Sequence, residues 1–286
     1  MKRLFYVLLL CAVASQMCMA QVVCKHALVF GIGYYEDKSW ARINGDVDVD
    51  YAVRMLSAMG YNDIYTLKNE LATKEAMVEA FMELEERCEE GDIVYIHYSG
   101  HGQLMTDLNG DESFKWNGEH SKWDGAWVPY DAYMTYGEND KGEKHLSDDE
   151  IAQLLTAIRK KVGSSGEIVV VVDACHSGDA TCGIDDDAPV RGIGVKFNIP
   201  FSGDVPVEKP AEEQWLTISA CKPYQLNMEM KDPKVGKLTY ALYTMGKKAF
   251  DKDNEVLQAE LIAFMKKNAG RLPQTPMVTG KKKLAR

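Results

Sequence analysis

The chain is short of positive charge, of long apolar runs and of a regular cysteine pattern. Acidic side chains outnumber basic ones, 43 to 33, for a formal net charge of −10. Nucleic-acid binders normally show a basic face, so this balance argues against one. It suits cationic peptides or basic side chains as ligands instead. Past the first twenty residues no segment is long and apolar enough to span a bilayer, which argues against a membrane-spanning protein. The seven cysteines form no dense framework of the kind that staples small secreted scaffolds. What remains is ordinary for a globular protein: 286 residues, 46% hydrophobic and 27% charged, enough for a substantial core in one large domain or two small ones.

The first stretch, MKRLFYVLLLCAVASQMCMAQ, reads as a secretory signal: Lys2 and Arg3, an apolar run from Leu4, then small and polar residues ending at Ala20. The mature protein is expected to span 21–286 and to be exported, periplasmic or extracellular. Ser15-Gln16-Met17 makes a poor lipid-attachment box before Cys18. Removal of Cys11 and Cys18 leaves Cys24, Cys88, Cys175, Cys182 and Cys221. An odd number implies at least one free thiol. Cys24, Cys88 and Cys221 are expected as buried small apolar residues. A Cys175–Cys182 disulfide stays open.

Along the mature chain strands and helices alternate. Strands are predicted at 26–33, 63–69, 92–100, 167–175 and 214–221. Helices are predicted at 46–60, 73–91, 147–163, 236–250 and 254–270. Thr73 and Ser147 read as N-caps, Ser147 with Glu150 as a capping box. The run IVVVV at 168–172 is apolar on both faces, as in a central parallel strand. TPMVT at 275–279 is expected as an edge strand, since Pro276 cannot donate to a ladder. The order is that of an α/β domain with a mostly parallel sheet, whose ligands bind beyond the carboxyl ends of the strands. Residues 104–146 and 177–212 hold little periodicity and read as long functional loops.

Two strand ends carry reactive groups: SGHG at 99–102 and DACHSG at 173–178. A thiol attacks a carbonyl as thiolate, and an imidazole supplies the base. Glycine beside each lets a substrate's backbone approach and offers N–H groups to an oxyanion. The residues therefore point to a Cys175–His101 dyad, with the N–H groups of Cys175 and Gly102 as oxyanion donors. A metal site on His97, Ser99 and His101 is the rival, if the strand continues with all three on one face. His176 neighbours the nucleophile in sequence and is expected to project away. His26, His120 and His145 have no catalytic context.

HYSGHG followed by DACHSG resembles the caspase-type cysteine peptidases, most of all the metacaspase branch. So do GAWVPYDA at 125–132, LSDDEIAQLL, WLTISACKPYQLNME, GKLTYAL and LPQTPMVTG, in the same order. The resemblance implies a caspase-like αβα sandwich with a central sheet of about six strands. It implies a large portion over 21–178, a linker over 179–212 and a small portion over 213–286. The implied activity is peptide-bond hydrolysis after Arg or Lys, by a protein expected as a monomer with peptide or protein substrates.

Asp173, Ser99 and Asp48 are the expected S1 residues. Asp173 and Ser99 each lie two residues before a dyad member, on the same strand face. Asp48 comes from an acidic helix start, where the macrodipole also favours an acid. Converging carboxylates need a cation, and a basic side chain supplies one. No Arg pair stands where Asp specificity would need it. The chemistry requires no cofactor, but the resemblance implies calcium as activator, on Asp124, Asp148 and Asp149. The family's fourth aspartate is replaced here by Cys182, with Asp179 or Asp185 as substitutes. In the linker, Arg191 and Lys196 are the candidate self-cleavage sites, and the uncut linker could instead latch the site shut. Other P1 specificity, peptide ligation, or a non-catalytic peptide-binding scaffold are the competing functions.

Overall fold

The computed structural model describes residues 22–110, 115–116, 119–120, 123–175, 189–201, 214–223, 225–268 and 273–283. The signal segment, His176, Asp179, Cys182 and Asp185 lie outside the described residues, as do 176–188 and 202–213 of the linker region.

A six-stranded sheet runs through the molecule in the order β11-β10-β9-β3-β1-β2. Its strands are β1 (Lys25–Gly31), β2 (Asp63–Lys68), β3 (Ile93–Ser99), β9 (Glu167–Asp173), β10 (Leu216–Ser219) and β11 (Met277–Gly280). All pairs are parallel except β10 with β11. The strand over 275–279 is thus an edge strand, with Pro276 just outside it. Parallel strands bury both faces, which is why β9 needs an unbroken run of β-branched residues.

Alternation then divides the core. Val169, Val171, Tyr95, Ala27 and Val29 face one cluster, packed by α1 (Gly45–Ala58), α4 (Lys237–Met245) and α6 (Asn254–Lys267). Ile168, Val170, Val172, Val94, Ile96, Leu28 and Phe30 face the other, packed by α2 (Lys74–Arg87) and α3 (Asp148–Val162). Each buried Val, Leu, Ile or Phe among them contributes about 1.5–3 kcal/mol relative to exposure. The caps fall where expected: Thr73 accepts from the Ala76 N–H, and Ser147 and Glu150 form the capping box.

Three expectations are corrected. Residues 104–146 are not structureless. They hold most of a second sheet, β4 (Gly102–Thr106), β7 (Trp123–Trp127) and β8 (Leu146–Ser147), and a ribbon of β5 (Lys115–Trp116) with β6 (Glu119–His120). The helix predicted over 236–250 breaks at Gly246, whose φ of 56° lies in the left-handed region, so that α5 (Lys247–Phe250) follows separately. Cys24 is exposed, while Cys88 and Cys221 are buried; these three are free thiols.

Candidate active site

β3 and β9 are adjacent and in register, with Ser99 paired to Asp173. Their ends therefore deliver His101 and Cys175 to the same edge. A Cβ on Gly102 would fall 2.0 Å from the Cys175 carbonyl oxygen, and one on Gly192 would fall 2.9 Å from its Sγ. Only glycine allows these three backbones to meet.

His101 is held at four points. Its backbone N–H donates to the Tyr35 hydroxyl at 2.7 Å. Its ring lies between Tyr35 and Trp40, each 5.2 Å away between centroids. Nε2 lies 2.8 Å from the Ala41 carbonyl, which can only accept, so Nε2 carries the proton. Nδ1 is the basic nitrogen and has no hydrogen-bond partner among the described residues. Burial pushes the imidazole down to about 4 against the pull of the Ala41 carbonyl, with the Arg191 charge adding to the effect. It is therefore a neutral base near pH 7.

The rival metal reading fails on orientation. β3 ends at Ser99, and His101 turns to the Tyr35–Trp40 side. His97 stays on the opposite face, with Nδ1 3.3 Å from the Tyr95 hydroxyl and Nε2 3.1 Å from Thr239 Oγ1.

Beside Cys175 lies a closed acidic pocket, and the chain's own Arg191 fills it. The Arg191 side chain is fully buried. Nη1 donates to Asp48 Oδ2 at 2.6 Å and to Ser99 Oγ at 2.5 Å, and stands 3.5 Å from Asp173 Oδ1. Nε donates to Glu229 Oε1 at 3.0 Å. Asp173 is further held by Asn227 Nδ2 at 2.7 Å and by the Thr239 N–H and hydroxyl at 2.8 and 2.7 Å. Gly236 closes the top: its N–H donates to Asp48 at 2.9 Å, and a Cβ there would fall 2.2 Å from Asp173 and 2.6 Å from Arg191 Nη1.

The charges are matched to a cation. Burial works against ionised Asp173, but Arg191 and the bonds from Asn227 and Thr239 outweigh it and hold the carboxyl below its usual range. Burial raises Asp48 to about 6 despite Arg191, with Asp173 adding repulsion.

The backbone of Arg191 is placed as carefully as its side chain. Its carbonyl accepts the Cys175 N–H at 2.7 Å, and its N–H donates to the Asn227 carbonyl at 2.9 Å. Val190 bridges Met228 antiparallel, and Gly192 bridges Gly102. The Cys175 thiol points to the Gln225 carbonyl at 3.1 Å, which Cys221 shares at 3.3 Å. Contact with Cys175, then burial, pushes the Cys221 thiol well up, so it stays protonated.

Thus Asp48, Ser99, Asp173, His101, Gly102 and Cys175 come together, and Arg191 joins them. Lys196 does not: its Nζ lies over the Trp123 ring, 4.7 Å from the centroid. Nor is Arg191 an accessible linker residue, since it is fully buried. Glu229 was named in sequence only within a longer resemblance and given no role. It reaches the pocket from an irregular segment that no periodicity marks.

The three expected calcium ligands lie on β7 (Asp124) and at the start of α3 (Asp148 and Asp149). Asp148 accepts from the Gly125 N–H at 3.2 Å, and Asp149 from Asn109 Nδ2 at 2.7 Å. Among the described residues, the single triplet with ligand atoms within 4.8 Å of one another is Cys24, His26 and Asp92. The His26 nitrogens there lie 2.6 and 3.2 Å from Asp63 and Asp92.

A thiol and an imidazole at adjacent parallel strand ends, over a sheet covered on both faces, define a caspase-type domain. The caspase domain family (Peptidase C14) matches residues 24–283, and the chain belongs to it. Metacaspase-1 of Eremothecium gossypii is 29% identical over 166 residues, covering 54% of this chain and 32% of that protein. Metacaspase-6 of Arabidopsis thaliana is 23% identical over 240 residues, covering 77% and 58%. The chain thus spans less than two thirds of either relative. A crystal structure of a Geobacter sulfurreducens protein superposes with a TM-score of 0.59 at 20% identity, covering 90% of this chain and 92% of that one. Caspase-1 from Spodoptera frugiperda does so with 0.56 at 12%, covering 91% and 87%. At these identities the likeness is one of fold.

Proposed function

We propose that the protein is an exported cysteine endopeptidase that cuts after Arg or Lys and holds its own Arg191–Gly192 bond in the active site as its first substrate. One observation carries this reading: the Arg191 side chain fills a pocket of three carboxylates while its carbonyl oxygen accepts the Cys175 N–H.

His101 Nδ1 takes the thiol proton of Cys175, and the thiolate attacks the Arg191 carbonyl carbon. The carbonyl oxygen becomes an oxyanion held by the Cys175 N–H, with the Gly102 N–H as second donor. Collapse breaks the bond to Gly192, whose amine takes the proton from His101. Water, activated by the same imidazole, then releases the Arg191 carboxylate. Asp48, Asp173 and Glu229 act as the S1 wall, and Ser99 bridges Asp48 to the guanidinium. The acidic pocket supports a basic P1 residue over aspartate, because an anion there would meet three like charges. Until the bond is cut the segment acts as a latch. No step runs through calcium.

The test is mass spectrometry of purified protein beside Cys175→Ala, followed by hydrolysis of Arg, Lys and Asp fluorogenic peptides with and without calcium. The expected product ends at Arg191, and turnover follows Arg or Lys. Absence of Cys175-dependent turnover under every condition rejects the peptidase reading. Faster cleavage after Asp rejects the pocket assignment alone.

A further inference from the structure

We propose that the outer edge of β4 is a binding site for the chain downstream of the cut bond, selecting an aromatic side chain at the sixth residue after it. This rests on the reading of Arg191 as the residue before the bond.

β4 is the outer strand of the second sheet, whose order is β4-β7-β8. It begins at Gly102, directly after His101, so its free edge leads away from the active site. Such an edge is a template for strand addition. Residues 192–199 use it: Gly192 bridges Gly102 and Phe197 bridges Met105, both parallel. The Phe197 N–H donates to the Leu104 carbonyl at 2.8 Å, and the Thr106 N–H donates to the Phe197 carbonyl at 3.1 Å. The Ile199 N–H donates to Thr106 Oγ1 at 2.8 Å. These bonds engage the segment's backbone, so they hold any extended peptide and select none.

Selectivity comes from one side chain. Phe197 is fully buried although Val195 beside it is 41% exposed. It packs on Met105 and Ala126, with the His145 ring 4.4 Å and the Tyr136 ring 6.3 Å away between centroids. The walls come from β4, β7 and the loop before β8, which belong to the body of the fold, with Ile199 of the segment packed beside them. Gln103 ties the two functions together. Its Nε2 donates to the Val195 carbonyl at 2.9 Å, while its Oε1 accepts from His145 Nε2 at 2.7 Å. The same side chain that grips the passing backbone thus orients the aromatic wall.

The pocket measures register. With the Arg191 carbonyl on the Cys175 N–H, the sixth residue onward reaches the pocket, and in this chain it is Phe197. After the cut, residues 192–199 remain joined to the small portion through residues 200–215. They compete for the edge with any second substrate.

The test uses the octapeptide Gly-Ile-Gly-Val-Lys-Phe-Asn-Ile, fluorescently labelled at its C-terminus, and the full-length Cys175→Ala/Phe197→Ala protein. The peptide has no arginine, so binding is read by anisotropy without the acidic pocket. The expected result is binding at least about tenfold tighter than that of the same peptide with alanine for phenylalanine. The protein that retains Phe197 should bind the labelled peptide more weakly. Should Phe197→Ala fail to fold, Cys175→Ala/Phe197→Leu, which keeps an apolar filler, takes its place. Equal binding of both peptides, or binding of neither, overturns the proposal. Failure of the Arg191 reading shows separately, as the absence of a product ending at Arg191 from the active protein.

Discussion

Among the described residues two arginines are buried, Arg159 and Arg191, and they are held in opposite ways. Arg159, on α3, is bonded wholly to carbonyls: Gln214 and Lys282 at 2.8 Å, Gly163 at 2.9 Å and Gly166 at 3.0 Å. Among the described residues no carboxylate pairs with it. It satisfies the carbonyls past its own helix end and ties them to the strands on either side. Burial lowers its pKa. Arg191 meets three carboxylates instead. Burial opposes its charge too, but Asp48, Asp173 and Glu229 more than offset this and raise it. Carbonyl dipoles gather where a backbone must be closed off, whereas three acids converge only where a cation is wanted. The first arrangement is architecture, and the second, in the function proposed above, is a recognition site occupied by its own chain.

The largest expected effect separates the two by chemistry. Arg191→Ala should abolish cleavage at 191–192, and Arg191→Lys should retain it more slowly, since a lysine loses the guanidinium's several fixed donors. Arg159→Met should leave the identity of the product unchanged in whatever fraction folds. Mass spectrometry of timed samples reads both.

The next effect is on stability, measured by denaturant unfolding in a Cys175→Ala background that keeps the chain uncut. Arg191→Met strands buried carboxylates and should cost about 3–5 kcal/mol near neutral pH. The sign of its pH dependence distinguishes it from Arg159→Met. In the parent, the depressed pKa of Asp173 makes a contribution that is present above the ordinary carboxylate range and lost as acid reaches the lowered pKa. Without the cation the carboxylates titrate higher, so the deficit of Arg191→Met should shrink as pH falls. The deficit of Arg159→Met leaves carbonyls behind and should not. Parallel pH curves for the two variants would erase the distinction.

The smallest effect sharpens the pocket itself. Asp48, raised to about 6, is neutral below that value and anionic above it. The kcat for an Arg peptide, whose side chain occupies the pocket as Arg191 does, should therefore rise as pH passes through about 6. Asp48→Asn should flatten that limb and lower kcat/KM by roughly 10–100-fold, the worth of a charge-assisted hydrogen bond. The pH–rate profiles of parent and variant decide it.

Much of this site was legible in sequence because strand geometry is periodic. Asp173 and Ser99 are paired across β9 and β3 and share one sheet face, which packs against α1 and α4, where Asp48 and Thr239 stand; His101, expected on that face two residues past Ser99, turns to the other one. Glu229 was not legible as a site residue, since it sits on a segment with no period and reaches Arg191 through an isolated bridge to Gly236. β4 and β7 were missed for a related reason. They are short, and polar Gln103 and Asp124 are buried beside apolar neighbours, which blurs the alternation that would mark a half-buried strand.

The linear order of residues by itself determined the α/β fold, the dyad's two strand ends and the acidic character of the pocket, because these follow from local periodicity and from motifs a few residues long. It left two basic linker residues, Arg191 and Lys196, each near glycine and each a fitting candidate. Only tertiary structure sets them apart. The Arg191 guanidinium is buried where carboxylates from separate segments converge beside a thiol. Lys196, five residues on, finds an aromatic face instead, because Phe197 has already anchored the strand.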